Sequence, residues 1–349
     1  MHKDKLFTVI WWVLGIGIVI GCGINFVKGI SGFDWIFFYY PQAQQATSDV
    51  LINPLWIYFV IGPIARLPLP VSYLVFLLLN LGMFWMGSNL TGGNRYLLLL
   101  SFPAFWMLWF GQLDGFVLFG TALGLKALDS KKPVTIQAER EMPRKKGVHG
   151  AQSGSYPHAH PFFGYFLSMA EQLQKPILMG IAILLLLVKP HIGAPLAILY
   201  FLWLPKRDTL LTVLLVTALS MIVWGWEWPI AWVRNILTIQ EEYYVPQTTN
   251  ISLFPYGFLA WLALLIAKSP MDRVKVALSA TLLSVPYAAT YSILPLLVLP
   301  LPWWVYVIGS APFLLGPNGY RLTTLVPIVT IILVIYPLLQ AKFFESTLT

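Results

Sequence analysis

The chain has 349 residues, of which 58% are hydrophobic and 10% are charged. Soluble domains usually carry about 25% charged residues, so this composition excludes a cytosolic enzyme, a disordered regulator and a small secreted module. The net charge of +8 does not indicate nucleic-acid binding, because the basic residues stand in short clusters between apolar stretches.

Apolar stretches recur along the whole chain, and about twenty apolar residues cross a bilayer. The first, over 6–27, is too long for a signal-peptide core and is predicted to remain as an anchor. Residues 54–66 are apolar but short and flanked by proline, which favours a re-entrant or interfacial helix. The further candidate crossings are 71–87, 96–110, 115–128, 176–188, 191–204, 209–226, 255–267, 274–286, 290–301, 303–315 and 322–341. We therefore predict an all-α polytopic membrane protein, a single integral membrane domain over 1–349 with about ten to twelve transmembrane helices.

Basic clusters predict the orientation of these helices. Lys3 and Lys5 precede the first crossing, and Lys206, Arg207 and Lys342 fall on the same side when alternate crossings are counted. The protein is expected in the plasma membrane. By the positive-inside rule, both of its termini are expected on the cytoplasmic side. The polar insert 129–174 is expected to be a flexible cytoplasmic loop. Its histidines lack acidic or cysteine ligands at matching spacing, so no metal site is predicted.

Acidic residues with few basic neighbours gather on the opposite, extracytoplasmic face. Asp34 follows the first crossing and stands beside the aromatic run that contains Tyr39 and Tyr40. A carboxylate buried among aromatics has a raised pKa, which favours a general base. The alternative is that Asp34 caps the helix that follows.

Two further groups of polar residues fall on this predicted face. Gln112 and Asp114 lie in a glycine-rich turn between apolar stretches, where they could orient sugar hydroxyls or only form the turn. Lys189 and His191 follow an all-apolar run, where they could hold a phosphate. Alternatively, Lys189 extends its side chain to the membrane surface from an ordinary helix end.

A second external segment, 227–254, carries apolar residues at approximate helical spacing and predicts an interfacial helix. Its Arg234 could contact a lipid phosphate or anchor the helix at the interface. The sequence contains no Walker A motif, no Rossmann glycine fingerprint and no Asp-x-Asp pair, which argues against a nucleotide-activated donor or ATP. A sugar donor is therefore expected to be lipid-borne.

In this order, the motifs resemble the multispanning GT-C glycosyltransferases, and among them the polyprenyl-phosphate-mannose-dependent mannosyltransferases of glycosyltransferase family 87. The resemblance extends from residue 30 to about residue 292. The matching features are Asp34 with Tyr39 and Tyr40, Gly62-Pro63-Ile64-Ala65-Arg66-Leu67-Pro68, Gly111-Gln112, Lys189-Pro190-His191, and Pro286-Tyr287 with Tyr291. The later motif of such proteins often has a Tyr-Asp pair, whereas Tyr291 is followed here by Ser292.

The resemblance implies a GT-C-like fold with extracytoplasmic loop helices and an inverting transfer of a hexose, typically mannose. The donor would be a polyprenyl-phosphate sugar and the acceptor a lipid or glycan outside the cytoplasm. No cofactor is expected, and no metal is predicted because no paired carboxylate spacing demands an ion, although Asp34 and Asp114 could approach each other in space. Asp34 would deprotonate the acceptor hydroxyl. Lys189, His191 and Arg234 would bind the donor phosphate. The sugar and acceptor would be bound by Tyr39, Tyr40, Gln112, Asp114 and Tyr291.

Two other functions stay open at this point. A transporter or lipid flippase would need ionisable residues near the bilayer midplane, which most of the predicted crossings lack. A noncatalytic membrane scaffold would tolerate replacement of Asp34 by asparagine.

Overall fold

The computed structural model describes residues 2–45, 53–129, 175–204, 206–238 and 249–347. These residues are helical or in short connections, and the part of the chain so described holds no β-structure beyond one bridge between Asn250 and Ala289. The α-helices are α1 His2–Val27, α2 Tyr40–Gln45, α3 Tyr58–Ala65, α4 Leu69–Thr91, α5 Arg95–Leu100, α6 Phe102–Phe110, α7 Asp114–Asp129, α8 Lys175–Leu186, α9 Pro190–Trp203, α10 Lys206–Trp224, α11 Trp228–Thr238, α12 Pro270–Ser284, α13 Leu294–Leu297, α14 Trp303–Ser310 and α15 Leu325–Thr347. A π-helical turn covers Trp35–Tyr39, and 3₁₀-helical segments cover Leu55–Ile57, Tyr256–Leu265, Thr290–Ile293, Ala311–Leu315 and Pro317–Thr324.

Four of the described helical stretches are long and apolar enough to cross a membrane: Lys5–Val27, Leu69–Thr91, Arg207–Trp224 and Gly319–Gln340. Five shorter apolar helices accompany them. The all-helical class and a membrane-compatible surface are thus observed. The count of about ten to twelve crossings and the likeness to GT-C proteins stay predictions.

Some predicted crossings are broken in the structure. The stretch 96–110 divides into α5 and α6 because the Ser101 hydroxyl accepts a hydrogen bond from the Ala104 N–H at 3.4 Å and starts a new helix. Pro103, in the first turn of α6, favours the same break. The proline-flanked stretch 54–66 forms the helical segment Leu55–Ala65, which is about 16 Å long and too short to cross a bilayer. Its re-entrant or interfacial placement stays a prediction.

The other predicted segments have mixed outcomes. The helix expected in 227–254 is confirmed as α11, whereas its place at the membrane interface stays a prediction. Residues 130–174, which hold almost all of the predicted cytoplasmic insert 129–174, lie outside the described residues. So do residues 239–248, the part of the predicted external segment 227–254 that contains Glu241 and Glu242.

α4 lies at the centre of the first half of the bundle, where it packs against α1 on one side and α7 on another. Close approach to α7 needs a small residue, because a Cβ on Gly87 would lie 2.8 Å from a methyl group of Leu118. α12 has the same central position in the second half and packs against α9, α15 and Tyr256–Leu265.

The outward faces of α1 and α10 remain apolar and uncovered. Only 22% of the apolar window of α1 and 11% of that of α10 are buried inside the protein. Large apolar side chains such as Val13 and Ile222 are exposed there. A soluble monomer rarely exposes apolar surface on this scale, so the lipid tails of a bilayer are the expected solvent for these faces.

Two ends of the bundle are distinguished by hydrogen bonds between loops. At one end, the Gly32 N–H donates to the Trp109 carbonyl at 2.7 Å, which joins the end of α1 to the end of α6, next to the start of α7. We call this the α7 end. At the other, the Trp11 indole N–H donates to the Arg95 carbonyl at 2.9 Å, which joins the early part of α1 to the start of α5. We call this the α5 end.

Candidate functional site

The turn between α6 and α7 presents two polar side chains to the interior. Gly111 follows the last residue of α6, and its φ of +74° is the left-handed conformation that favours glycine. The Gly111 N–H bonds the Leu108 carbonyl at 3.2 Å and the Gln112 N–H bonds the Met107 carbonyl at 3.0 Å, the paired bonds of a Schellman motif. The chain then reverses, so Gln112 and the first residue of α7, Asp114, face the bundle.

Asp34 does not cap the helix that follows it. The residue stands before the π-helical turn Trp35–Tyr39, but its side chain makes no capping bond to the backbone. Its Oδ2 instead accepts a hydrogen bond from Nε2 of Gln112. The capping alternative is therefore wrong, and the carboxylate belongs to a contact between two distant loops.

Lys189 points inward rather than toward a membrane surface. Its residue is only 8% exposed, so the explanation of an ordinary snorkelling lysine is wrong. The ammonium donates to Oε1 of Gln112 at 2.7 Å and to Oδ2 of Asp114 at 2.6 Å. Asp114 is fully buried, and this contact is the one salt bridge among the described residues.

Together these side chains form a continuous hydrogen-bonded chain, Asp34–Gln112–Lys189–Asp114, which we call the central cluster. Two tyrosines complete its wall. The Tyr39 hydroxyl donates to Oε1 of Gln112 at 3.1 Å, and the ring of Tyr291 lies 4.9 Å from the Lys189 ammonium. Oε1 thus accepts from two donors while the amide nitrogen donates to Asp34, which fixes the orientation of the Gln112 amide.

The segment that carries Tyr291 is held in place by an asparagine side chain. Asn250 accepts from the Ala288 N–H at 3.0 Å and donates to the Pro286 carbonyl at 3.0 Å. These bonds fix the connection between α12 and Thr290–Ile293. The second half of the bundle thereby supplies the ring that lies beside Lys189.

The electrostatics of the cluster favour a base at Asp34. This residue lies between the first two candidate membrane spans, where burial raises the pKa of its carboxyl to about 6. The charge of Lys189 and the hydrogen bond from Gln112 act in the opposite direction, and the charge of Asp114 raises the pKa further. Asp34 is half-buried, whereas Asp114 is fully buried. Asp34 is therefore the more accessible of the two carboxylates.

Three residues predicted for the site take no part in the hydrogen bonds that define the central cluster. The Tyr40 hydroxyl donates to the Leu67 carbonyl at 3.4 Å, away from Gln112. His191 is exposed on the first turn of α9, two residues after Lys189. Arg234 is exposed on α11, a helix whose Trp228 and Trp232 pack against Trp56. The contacts that define the central cluster include none of these three side chains.

The structure adds residues that the sequence did not indicate. Tyr58 donates to Oε1 of Gln42 at 2.6 Å, and Asn53 hydrogen-bonds the Tyr39 hydroxyl. Tyr58 and Asn53 both belong to the segment 53–65, which precedes α4. The sequence held one signal for these two residues, the short apolar stretch 54–66. A stretch too short to cross the membrane stays near the loop before it, so its side chains can contact that loop.

Polar atoms near Asp114 are left without partners. Oδ1 of Asp114 is buried and accepts no hydrogen bond, and the same holds for Oδ1 of Asn80 on α4. A Cβ on Gly115 would overlap this Asn80 oxygen, so the Asn80 side chain contacts the first turn of α7. In the described part of the chain, no group of three or more His, Cys, Asp or Glu side chains is arranged to hold a metal ion.

No protein-family model, no curated protein and no solved structure matches this chain. Membership of the GT-C glycosyltransferases therefore stays a prediction from the motifs. The chemistry of the central cluster carries the functional proposal.

Proposed function

We propose that the protein is a membrane glycosyltransferase. It moves a hexose, with mannose as the first candidate, from a polyprenyl phosphate to a lipid-linked or glycan acceptor. The observation that carries this proposal is the central cluster. It combines one approachable carboxylate of raised pKa with one buried ammonium in a single hydrogen-bonded chain at the end of an apolar bundle.

Asp34 acts as the general base in this proposal. Its carboxylate takes the proton of the acceptor hydroxyl while the hydroxyl oxygen forms a bond to the anomeric carbon of the sugar. With a pKa of about 6, Asp34 is mostly ionised at neutral pH and is a stronger base than an ordinary carboxylate. Attack on the face opposite the leaving group inverts the anomeric configuration.

Lys189 stabilises the leaving group. The bond between the anomeric carbon and the donor phosphate oxygen breaks as the new bond forms, and its electron pair leaves with the lipid phosphate. The developing negative charge needs a cation that is already in place. The ammonium has three N–H donors, and its contacts with Gln112 and Asp114 use two of them. The third donor is assigned to the phosphate.

The burial of Asp114 supports a positioning role in place of the predicted sugar contact. The carboxylate is fully buried and holds Lys189 at 2.6 Å. Gln112 hydrogen-bonds both Lys189 and Asp34 and so fixes their relative positions. Tyr39 and Tyr291 border the space where the sugar would bind. The exposed side chains of His191 and Arg234 keep their proposed role at the donor phosphate. Tyr40 keeps its predicted role at the sugar site, although its hydroxyl donates to the Leu67 carbonyl and not to Gln112.

A lipid-borne donor suits the place of the cluster. The uncovered apolar faces of α1 and α10 keep the protein within lipid, so a polyprenyl chain reaches the bundle laterally. By the positive-inside rule, the α7 end faces away from the cytoplasm and both termini lie inside the cell. The acceptor would therefore be modified outside the cytoplasm at the plasma membrane.

The test is transfer of radiolabelled mannose from polyprenyl-phosphate-mannose to membrane lipid or protein. Wild type, Asp34→Asn and the control Asp208→Asn are compared in membranes that contain equal amounts of each protein. Asp208 lies in the first turn of α10, outside the central cluster. Loss of a general base should lower transfer at least about a hundredfold, with donor binding retained, and Asp208→Asn should leave the transfer rate unchanged.

Two outcomes contradict the proposal. Equal transfer by wild type and Asp34→Asn would remove Asp34 from the mechanism. No transfer by the wild type over several polyprenyl-phosphate sugars would favour a transporter or a scaffold.

A further inference from the structure

A polar cavity lies at the α5 end, opposite the central cluster along α4. It has a volume of about 470 Å³ and opens to the surface where α4 ends and α5 begins. Its lining residues are Ser88, Asn89, Gly92, Gly93, Asn94, Arg95, Tyr96, Pro300 and Leu301. A volume of this order is typical of sites for small molecules.

One cation dominates the cavity. Arg95 is the only charged side chain in the lining, and it is half-buried. Its guanidinium lies 4.0 Å from the ring centre of Trp85 and 5.2 Å from that of Tyr96. Asn89 accepts a hydrogen bond from it at 3.2 Å. These contacts hold the guanidinium in position without neutralising it, because no carboxylate among the described residues lies within salt-bridge distance of it.

The cavity also offers polar groups beside Arg95. The Ser88 hydroxyl is buried and has no hydrogen-bond partner. Asn89 and Asn94 line the opening with exposed side chains. A phosphate oxygen accepts hydrogen bonds from groups of these types, and the planar fork of an arginine matches phosphate particularly well.

The residues around this cavity are of the types expected at the depth of lipid headgroups. Trp11, Trp12 and Trp85 form an aromatic group with ring centres 4.8 to 5.8 Å apart, and Phe7 lies against Tyr96 at 6.1 Å. Tryptophan and tyrosine are enriched at this level of a membrane. The neighbouring part of α1 exposes apolar side chains and, near its start, Lys5. Positive charge beside an aromatic belt attracts anionic lipids.

We propose that this cavity binds a phosphate group, carried by an anionic lipid headgroup or by a free phosphate compound. Arg95 contacts the phosphate oxygens, and Ser88, Asn89 and Asn94 supply the neutral contacts. The site is separate from the central cluster and does not depend on glycosyl transfer. By the orientation proposed above, it faces the cytoplasmic leaflet, so the two leaflets are engaged at opposite ends of α4.

The test counts bound lipid on the purified full-length protein. Native mass spectrometry measures retained phosphatidylglycerol against phosphatidylcholine for wild type, Arg95→Gln, Ser88→Ala and the control Arg207→Gln. Arg207 is exposed at the start of α10 and does not line the cavity. We expect affinity for phosphatidylglycerol to fall about tenfold in Arg95→Gln, to fall more weakly in Ser88→Ala, and to be unchanged in Arg207→Gln.

Ser88→Ala separates weaker lipid binding from unfolding of the protein. Removing a buried hydroxyl that has no partner should leave the melting temperature unchanged or raise it, so weaker binding by this variant cannot come from unfolding. A parallel measurement adds inorganic phosphate alone. If phosphate raises the melting temperature of wild type and not of Arg95→Gln, while no lipid preference is seen, the ligand is a free phosphate compound. Equal lipid retention and equal response to phosphate in wild type and Arg95→Gln would overturn the proposal, as would an equal loss in Arg207→Gln.

Discussion

The two ends of α4 hold their cations in different ways. At the α7 end, Lys189 is almost fully buried, and the carboxylate of Asp114 neutralises it at 2.6 Å. At the α5 end, Arg95 is half-buried and rests on the rings of Trp85 and Tyr96. A charge in a low-dielectric interior needs a counter-charge, whereas a charge at the membrane interface keeps enough hydration to stand without one. In the proposals above, the first arrangement holds the ammonium in place for the donor phosphate, and the second leaves the guanidinium accessible to a phosphate group at the surface.

The largest expected effect concerns the buried ion pair. Lys189→Met leaves Asp114 buried without its counter-charge, so we expect the free energy of unfolding to fall by about 3–5 kcal/mol. The double variant Lys189→Met with Asp114→Leu should recover most of this loss, because no charge then remains buried. Denaturant titration in mixed micelles gives both values.

Arg95→Gln is the matched measurement at the α5 end. Its guanidinium makes cation–π and amide contacts at a half-buried site, so we expect a loss of only about 1 kcal/mol. The contrast between the two ends fails if Lys189→Met costs no more than Arg95→Gln.

A smaller effect compares two glycines that end helices at opposite ends. Gly111 and Gly92 have φ values of +74° and +75°. A Cβ on Gly92 meets nothing within 4 Å, whereas one on Gly111 would lie 3.0 Å from Cβ of Trp35. Gly92→Ala should therefore lower the free energy of unfolding by the backbone strain alone, about 1–2 kcal/mol. Gly111→Ala should cost about 1 kcal/mol more and should also lower transfer, because Gln112 follows it. Equal costs in the two variants would show that the turn beside Gln112 is not tightly packed.

The smallest effect is a difference in pH dependence. The base must be ionised, and burial raises the pKa of Asp34 to about 6. Transfer should therefore rise with pH, reach half its maximum near this value and level off above it. Phosphatidylglycerol retention should be constant over the same range, because the proposed lipid contacts do not include Asp34. The rate of transfer and the fraction of lipid-bound protein, measured from about pH 5 to about pH 8, give both profiles. A transfer rate that is constant or falls with rising pH would contradict the assigned base.

The sequence predicted the helical class because its low charge and long apolar stretches suit a lipid environment. Within lipid, such stretches form helices, because a helix satisfies its own backbone hydrogen bonds. The helix breaks were harder to predict. Ser101 and Pro103 end one helix and begin another within a continuous apolar run. A hydropathy profile does not show this break, because the residues on both sides of it are apolar. The number of crossings depends on such breaks and on how each short helix lies in the bilayer, which composition does not specify.

The sequence by itself determined which residues of the α7 end were worth attention. In a chain so poor in charge, Asp34, Asp114 and Lys189 stand out, because an ionisable group near lipid is costly to keep without a role. Their partners were decided only by the tertiary structure. Gln112 is the link between Asp34 and Lys189 because a left-handed turn at Gly111 points it inward. Tyr39 faces that link and the adjacent Tyr40 turns away from it, because the geometry of the π-helical turn and the contact with Leu67 set the direction of each ring.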